Sequence, residues 1–208
     1  MTRFRWSDPR SRLALGAAAM AVSLVPLHRD RVGRREAALF HAVNDLPDTW
    51  FAPAWTLMQL GTVGAAPAAA LLARATGRRR LAARLLVGGV ATWAASKVVK
   101  PITGRPRPRA LLPDTHVRGG EASGLGYPSG HAGVAVALSI AAAPHLSRRW
   151  QRTVVTLTPL VGITRMYVGA HLPLDVASGA AMGVTIDAAV ELLQDRQAGM
   201  RGVRRSRR

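Results

Sequence analysis

Long apolar segments alternate with arginine-rich connections along this chain, and that alternation limits the folds open to it. Six segments can be distinguished: Leu13–Leu27, Trp50–Ala73, Leu81–Val99, Gly130–Ala143, Val154–Tyr167 and Pro173–Leu193. A helix needs about 20 residues to cross the hydrocarbon core of a bilayer, so the second, third and sixth are long enough. The other three need flanking residues or a locally thinner bilayer. The pattern predicts an all-α fold, a six-helix transmembrane bundle. A soluble helical bundle is the alternative, and long apolar segments with few interior charges disfavour it.

The charge of the chain is strongly positive, with 29 basic residues against 11 acidic ones. A soluble protein of this charge would suggest a nucleic-acid partner. Here the basic residues cluster between apolar segments, without interleaved aromatic residues, so we expect no nucleic-acid binding. If the N-terminus is cytoplasmic and six helices cross, 18 of the 29 fall on the inner side, as the positive-inside rule requires. This predicts a multi-pass protein of a bacterial inner membrane, with both termini cytoplasmic and the loops 100–129 and 165–172 facing outward.

The first apolar segment has two interpretations. Its basic start resembles a secretory signal. The one cleavage-like site, Ala19-Met20-Ala21, lies inside the apolar run, which favours a retained transmembrane helix. The predicted organisation is a basic cytoplasmic N-terminus at 1–12, the first transmembrane segment with its connection at 13–35, a core domain at 36–195 and a basic tail at 196–208.

The connections and the last helix give further expectations. Residues 29–49 form either a plain loop or a short interfacial helix whose apolar face holds Val32, Leu39, Phe40 and Val43. The loop 100–129 is rich in glycine, and we expect it to be mobile. Asp187 and Glu191 are expected to pair with arginines of the basic tail.

Two cations lie just beyond the third apolar segment, in the string Lys100-x6-Arg107-Pro108. A guanidinium grips phosphate oxygens in pairs and an ammonium adds a point charge. Arg165, at the end of the fifth segment, is a third candidate for the same anion. Taken singly, a basic residue at such a position merely reaches toward the interface, and we expect only that of Lys97, Arg105 and Arg109. Arg105-Pro106 and Arg107-Pro108 are alternative registers, and the choice of Arg107 comes from the family spacing given below.

The string Pro128-Ser129-Gly130-His131 begins the fourth segment. Serine before a helix is a preferred N-cap, and the free amides of a first helical turn favour an anion. Gly130 permits close approach of the backbone to that anion. His131 then lies at the site, where it can give a proton to a leaving oxygen. Alone, it would be an ordinary polar residue at an interface.

The third string is Thr164-Arg165-x5-His171-x3-Asp175. Asp175 lies one helical turn beyond His171, and a carboxylate there can orient the imidazole by binding one ring nitrogen. The other nitrogen is left to attack, which is the general arrangement of covalent catalysis. Alone, Asp175 would be read as a partner of the helix dipole. The chain has no cysteine, so a thiolate metal site is impossible, and no histidine shows metal-ligand spacing.

These three strings resemble the signature of the membrane-bound type-2 phosphatidic acid phosphatase superfamily, which is Lys-x6-Arg-Pro, Pro-Ser-Gly-His and Ser-Arg-x5-His-x3-Asp. Order and spacing agree, and the resemblance covers about residues 36–193. It implies a helical bundle, no metal and no cofactor. Thr164 departs from the usual serine but keeps the hydroxyl.

The resemblance also implies a role for each matching residue. His171 would be the nucleophile, His131 the general acid and Asp175 the partner that orients His171. The phosphate-binding residues would be Lys100, Arg107, Ser129, Gly130 and Arg165.

The expected function is therefore that of an integral membrane phosphatase with its active site at the outer membrane face. It would hydrolyse a lipid phosphate or diphosphate through a phosphohistidine, first of all a polyprenyl diphosphate carrier. The alternatives are a phosphatidate or phosphatidylglycerophosphate phosphatase and a lipid phosphotransferase with the same site. A lipid-phosphate-binding protein without activity is the non-enzymatic alternative. The expected partners are the lipid phosphate and the surrounding membrane lipids.

Overall fold

The structure is a computed structural model that describes residues 8–28, 31–119 and 123–206. In these residues every regular element is a helix, apart from an isolated antiparallel bridge between Pro106 and Leu125. The all-α prediction is confirmed. The α-helices in chain order are α1 Pro9–Leu24, α2 Arg34–Asn44, α3 Phe51–Met58, α4 Ala65–Ala75, α5 Arg79–Thr103, α6 Pro108–Leu111, α7 Gly130–Ala142, α8 Arg148–Tyr167 and α9 Pro173–Ser206.

Two helices are long and apolar enough to cross a membrane, α5 and the part Pro173–Met200 of α9. These correspond to the third and sixth apolar segments. The second segment is a bent pair, in which 48–61 and α4 meet at 65° and together pass the same test. The three segments that seemed short do not pass it within the described residues, so a six-helix crossing remains a prediction.

A close packing contact lies beside the bend in the second segment. Gly61 ends a short 3-10 turn after α3, and a β-carbon at this position would collide with the backbone of His131 and with Val161. The α3 end therefore approaches the start of α7 more closely than a residue with a side chain allows. One uninterrupted helix over 50–73 was expected, and this contact between backbones is what the expectation lacked.

α9 lies at the centre of the bundle, against α1, α5 and α7. Where α7 crosses α9 the contact is made by small residues, because a β-carbon on Gly133 or Gly183 would meet backbone of the other helix. Close approach of backbones through small residues is typical of helices that pack in lipid. A second contact region joins α4, α5 and α7 through Ala66, Ala70, Leu81, Leu85 and Leu138.

A buried charge cluster ties α1, α5 and α9 together. Asp187, which is 1% exposed, accepts hydrogen bonds from Arg12 at 2.7 Å and from Arg84 at 2.7 and 2.8 Å. Glu191 pairs with the same two arginines. The expected pairing with tail arginines is therefore wrong. Arg12 belongs to α1 rather than to a separate basic terminus, since the buried Asp187 and the partly buried Glu191, one turn apart on α9, require cations at that level.

The connections are more ordered than expected. Residues 34–44 form α2, whose Phe40 is fully buried while Leu39 points outward. In the described part of the 100–129 loop, Arg118 donates to the carbonyl oxygens of Asn44, Leu46 and Tyr167. These bonds attach the loop at Arg118 to the ends of α2 and α8.

Some expectations fall on residues outside the described ranges. Arg3 and Arg5 of the predicted N-terminus and Gly120 of the loop belong to this group. At the other end, α9 continues to Ser206, past the predicted boundary at 195.

Replacing Asp187 should reveal how far the bundle depends on the charge cluster. Asp187→Asn leaves two arginines facing one remaining acid in the interior, and breaking a buried ion pair costs about 3–5 kcal/mol. We expect a clear fall in the thermal unfolding midpoint of the protein in detergent. Asp195→Asn is the matched control, because Asp195 pairs with Arg80 on an exposed surface of the same helix. Equal midpoints for the two variants would contradict this account.

Candidate active site

Five structural elements bring the predicted site residues to one end of the bundle. Lys100 lies near the end of α5, Arg107 precedes α6, Ser129, Gly130 and His131 begin α7, Arg165 ends α8, and His171 and Asp175 flank the start of α9. The charges of Lys100, Arg107 and Arg165 all act on His131, and His171 lies within the same range. The structure thus gathers residues from three separate strings into one cluster.

Backbone hydrogen bonds lock the second and third strings together. The amide of Ser129 donates to the carbonyl oxygen of Asp175 at 2.8 Å. The Ser129 side chain caps α7 by accepting from the amide of Ala132 at 3.4 Å. Gly179 lies so close to the backbone of Ser129 that a β-carbon would not fit. The start of α7 therefore has a fixed position relative to the first turn of α9, and its first-turn amides lack helical acceptors.

A tight turn brings His171 back onto Arg165. The amides of Ala170 and His171 both donate to the carbonyl oxygen of Arg165, at 3.0 and 3.2 Å. Gly169 has a φ of +75°, which glycine adopts without steric cost. The five-residue spacing between arginine and histidine is thus the length of this turn. It brings the backbone of His171 next to that of Arg165.

The Arg165 side chain lies between α8 and α3. Its Nη1 contacts the sulfur of Met58, whose helix ends at the bend beside His131. Thr164, the residue that departs from the expected serine, is 6% exposed and donates its hydroxyl to the carbonyl oxygen of Val161 at 2.8 Å. That hydroxyl is therefore engaged within its own helix.

Lys100 holds the chain that leads to Ser129. Its Nζ donates to the carbonyl oxygens of Leu125 and Gly126, at 2.8 and 2.9 Å. An ammonium has three donors, so one is left for a further acceptor. Lys100 thereby joins the end of α5 to the segment before α7 and directs its charge toward the same cluster.

His171 is almost completely buried, at 3% exposure. Its Nδ1 lies 3.7 Å from Oδ2 of Asp175, which is longer than a hydrogen bond. Burial lowers the pKa of His171 to about 4, with Arg165 and Lys100 acting in the same direction and Asp175 against them. The imidazole is therefore neutral at pH 7, which is the form that can act as a nucleophile.

Asp175 has two other partners, and the sequence analysis missed both. Its Oδ2 accepts from the amide of Leu172 at 2.9 Å, and its Oδ1 accepts from Nη1 of Arg105 at 2.8 Å. Arg105 also donates to Glu36 of α2 at 2.8 Å. The expectation that Arg105 only reaches toward the interface is wrong, because its guanidinium lies in the interior between two carboxylates.

The sequence did contain a signal for Arg105. Residues 105–107 are extended, with the amide of Gly126 donating to the carbonyl of Arg105 and the amide of Arg107 donating to the carbonyl of Gly124. In extended backbone, residues two apart lie on the same face. If one of the arginines in Arg105-Pro106-Arg107 faces the site, the other does too. No comparable signal marked Glu36, which comes from a distant helix.

Within the described residues, no group of three or more His, Asp or Glu side chains is arranged to hold a metal ion. The polar groups described at this end of the bundle are cations, imidazoles and the carboxylates of Asp175 and Glu36. Such a set can bind an anion, offer a neutral imidazole to it and supply a second imidazole for proton transfer.

Comparison with known proteins gives a family and a fold. The sequence profile of the PAP2 superfamily matches residues 80–197, which contain all three strings. Comparison with curated proteins gives no match.

Two crystal structures resemble the chain. LpxE from Aquifex aeolicus has a TM-score of 0.68 and 20% identity, covering 74% of this chain and 93% of its own. A transmembrane PAP2-type phosphatidylglycerolphosphate phosphatase from Bacillus subtilis has a TM-score of 0.65 and 22% identity, covering 92% of this chain and 98% of its own. At such identities the likeness shows a shared fold.

Proposed function

This chain belongs to the PAP2 superfamily, and from that premise we propose that it is an integral membrane phosphatase acting on a lipid phosphate or diphosphate. The observation that carries the proposal is the convergence of Lys100, Arg107 and Arg165 around two histidines. Three cations match the charge of a phosphate, and they stabilise the negative charge that develops on its oxygens in the transition state.

His171 is the nucleophile in this proposal. Its Nδ1 faces Asp175, so Nε2 is the nitrogen that attacks phosphorus. A bond forms between Nε2 and phosphorus while the bond from phosphorus to the leaving oxygen breaks. The imidazolium that forms is stabilised by the carboxylate of Asp175, which lies on the opposite side of the ring.

His131 is the general acid of the first step and the general base of the second. It stands second in α7, beside the cations, and a bound phosphate offsets their charge so that an imidazolium can exist there. His131 gives this proton to the departing oxygen. In the second step it takes a proton from water, whose oxygen attacks phosphorus and breaks the bond to Nε2. Inorganic phosphate leaves, and both histidines return to their starting forms.

The first proposed substrate is a polyprenyl diphosphate carrier, which would be cleaved to the monophosphate. The support is the predicted outward orientation of the site, because that face meets carriers presented in the outer leaflet. Phosphatidylglycerophosphate is the second candidate, and the observation that favours it is the fold shared with a Bacillus subtilis phosphatidylglycerolphosphate phosphatase.

Phosphate release by detergent-purified protein tests the activity. The panel holds a polyprenyl diphosphate, phosphatidate, phosphatidylglycerophosphate and a soluble phosphate ester, each with EDTA. We expect release from at least one lipid in EDTA, and His171→Ala should lower kcat by at least about a thousandfold because the nucleophile is lost. His116→Gln is the control, since His116 is an exposed histidine outside the cluster. Retained turnover in His171→Ala would exclude the proposed nucleophile, and loss in EDTA would exclude a metal-free reaction.

The orientation can be tested with single cysteines, because the chain has none of its own. Asp114→Cys places an exposed thiol in the loop next to the site, and Arg149→Cys places one at the start of α8. α8 has 20 residues and is thus about 30 Å long, so its start lies far from Arg165. In intact spheroplasts, a membrane-impermeant maleimide should label position 114 and should label position 149 only after permeabilisation. The reverse pattern would place the site on the cytoplasmic face.

A further inference from the structure

A chain of three charged side chains lies directly behind His171. Glu36 pairs with Arg105 at 2.8 Å, and Arg105 pairs with Asp175 at 2.8 Å. The side chains of Glu36, Arg105 and Asp175 are 18%, 11% and 0% exposed. Charge pairs this well buried persist only with good geometry and further hydrogen bonds. The three side chains therefore form a specific, well-packed arrangement. It ends at the Asp175 carboxylate, which faces the imidazole of His171.

The geometry of Arg105 is that of a fork shared between two acids. Nη1 donates to Oδ1 of Asp175, and Nη2 donates to Oε2 of Glu36. The other oxygen of Glu36, Oε1, accepts from the backbone amide of Leu174 in the first turn of α9 at 3.1 Å. Glu36 thus contacts both Arg105 and the helix that carries Asp175. A planar guanidinium suits such a bridge, and a lysine with a single nitrogen does not.

We propose that Arg105, held by Glu36, is a positioning residue that fixes the Asp175 carboxylate behind His171 and sets the charge that His171 experiences. This inference rests on the proposed function, because it assigns Arg105 and Glu36 to the nucleophile of that reaction. Arg105 occupies an unspecified position within the first string of the superfamily signature, and Glu36 lies outside all three strings.

The first consequence is orientation. Oδ1 of Asp175 is bound by Arg105 and Oδ2 by the amide of Leu172. With both oxygens engaged, the carboxylate cannot rotate away from Nδ1 of His171. Without Arg105, one oxygen of a fully buried carboxylate loses its partner, which is costly in the interior. The carboxylate would then turn toward another donor, and the imidazole would lose its orientation.

The second consequence concerns the charges near His171, which set how easily its imidazole is protonated. The groups that face His171 from the surrounding elements are Asp175 of α9, Arg165 of α8, Lys100 of α5 and His131 of α7. Through its bond to Asp175, Arg105 places a cation one step behind the carboxylate, and Glu36 places an anion one step further away. Removing the cation makes protonation of His171 easier, and removing the anion makes it harder. Arg105→Gln and Glu36→Gln should therefore shift the titration of His171 in opposite directions.

The experiment compares Arg105→Gln, Arg105→Lys and Glu36→Gln with Arg109→Gln. Arg109 lies four residues from Arg105, and its guanidinium binds the carbonyl oxygen of Thr115 away from the site. For each protein we would measure kcat and KM, the ratio of kcat/KM at pH 5 to that at pH 7, and the titration of His171 by nitrogen NMR of labelled imidazole in detergent.

For Arg105→Gln we expect kcat to fall about tenfold or more, with KM changed less than about twofold, because phosphate binding does not involve Arg105. The titration midpoint of His171 should rise by about one pH unit, so that kcat/KM at pH 5 falls relative to pH 7. Glu36→Gln should lower kcat less and move the midpoint downward. Compared with Arg105→Gln, Arg105→Lys should return the His171 titration midpoint to the wild-type value but should recover only part of kcat. Arg109→Gln should resemble the wild type in every measurement.

Two results would overturn the proposal. One is an Arg105→Gln enzyme with the kcat and His171 titration of Arg109→Gln. The other is a loss of kcat that follows only the unfolding midpoint, with the His171 titration unchanged, which would make Arg105 a purely structural residue. The titration of His171 needs no turnover, so it tests the role of Arg105 even in a protein without activity. A wild type that releases no phosphate from any lipid would instead reject the proposed function.

Discussion

The structure of this site depends on how Asp175 is bound. Its backbone carbonyl accepts the amide of Ser129, one carboxylate oxygen accepts the amide of Leu172, and the other binds Arg105. Through these contacts a single residue joins the start of α7, the turn that carries His171 and the extended segment before α6. Each partner lies far from the others in sequence, so the site forms only when the bundle closes around α9. A buried carboxylate with all of its acceptors satisfied is a strong constraint on that closure.

The distribution of charge explains why an anion belongs at this end of the bundle. Among the described residues, Asp175 and Glu36 share Arg105. Lys100, Arg107 and Arg165 act together on His131, and Lys100 and Arg165 act on His171 as well. At the other end of α9, Asp187 and Glu191 are matched by Arg12 and Arg84. The cluster around Asp187 pairs two acids with two arginines and holds the bundle together. At the site, the four cations Lys100, Arg105, Arg107 and Arg165 accompany the two carboxylates Asp175 and Glu36.

Much of the site followed from the sequence because its strings are local. The spacing from Arg165 to His171 is one turn closed by Gly169, and the spacing from His171 to Asp175 is one helical turn, so both could be predicted. The existence of α5 and the start of α9 followed from the apolar segments. Three features could not be predicted: the bend after Gly61, the pairing of Arg12 with Asp187 and the bridge from Glu36 through Arg105. Each depends on which helices become neighbours, and periodicity and spacing along one chain do not contain that information.

The central claim is that Lys100, Arg107, Arg165, His131 and His171 form one phosphate pocket in which His171 is the nucleophile. The most direct measurement is an experimental structure of the detergent-solubilised protein with vanadate, which mimics a five-coordinate phosphorus. The account predicts vanadium bonded to Nε2 of His171, with an apical oxygen next to His131 and the equatorial oxygens in contact with the three cations. Vanadate bound away from His171, or held by the cations with no bond to this nitrogen, would contradict it.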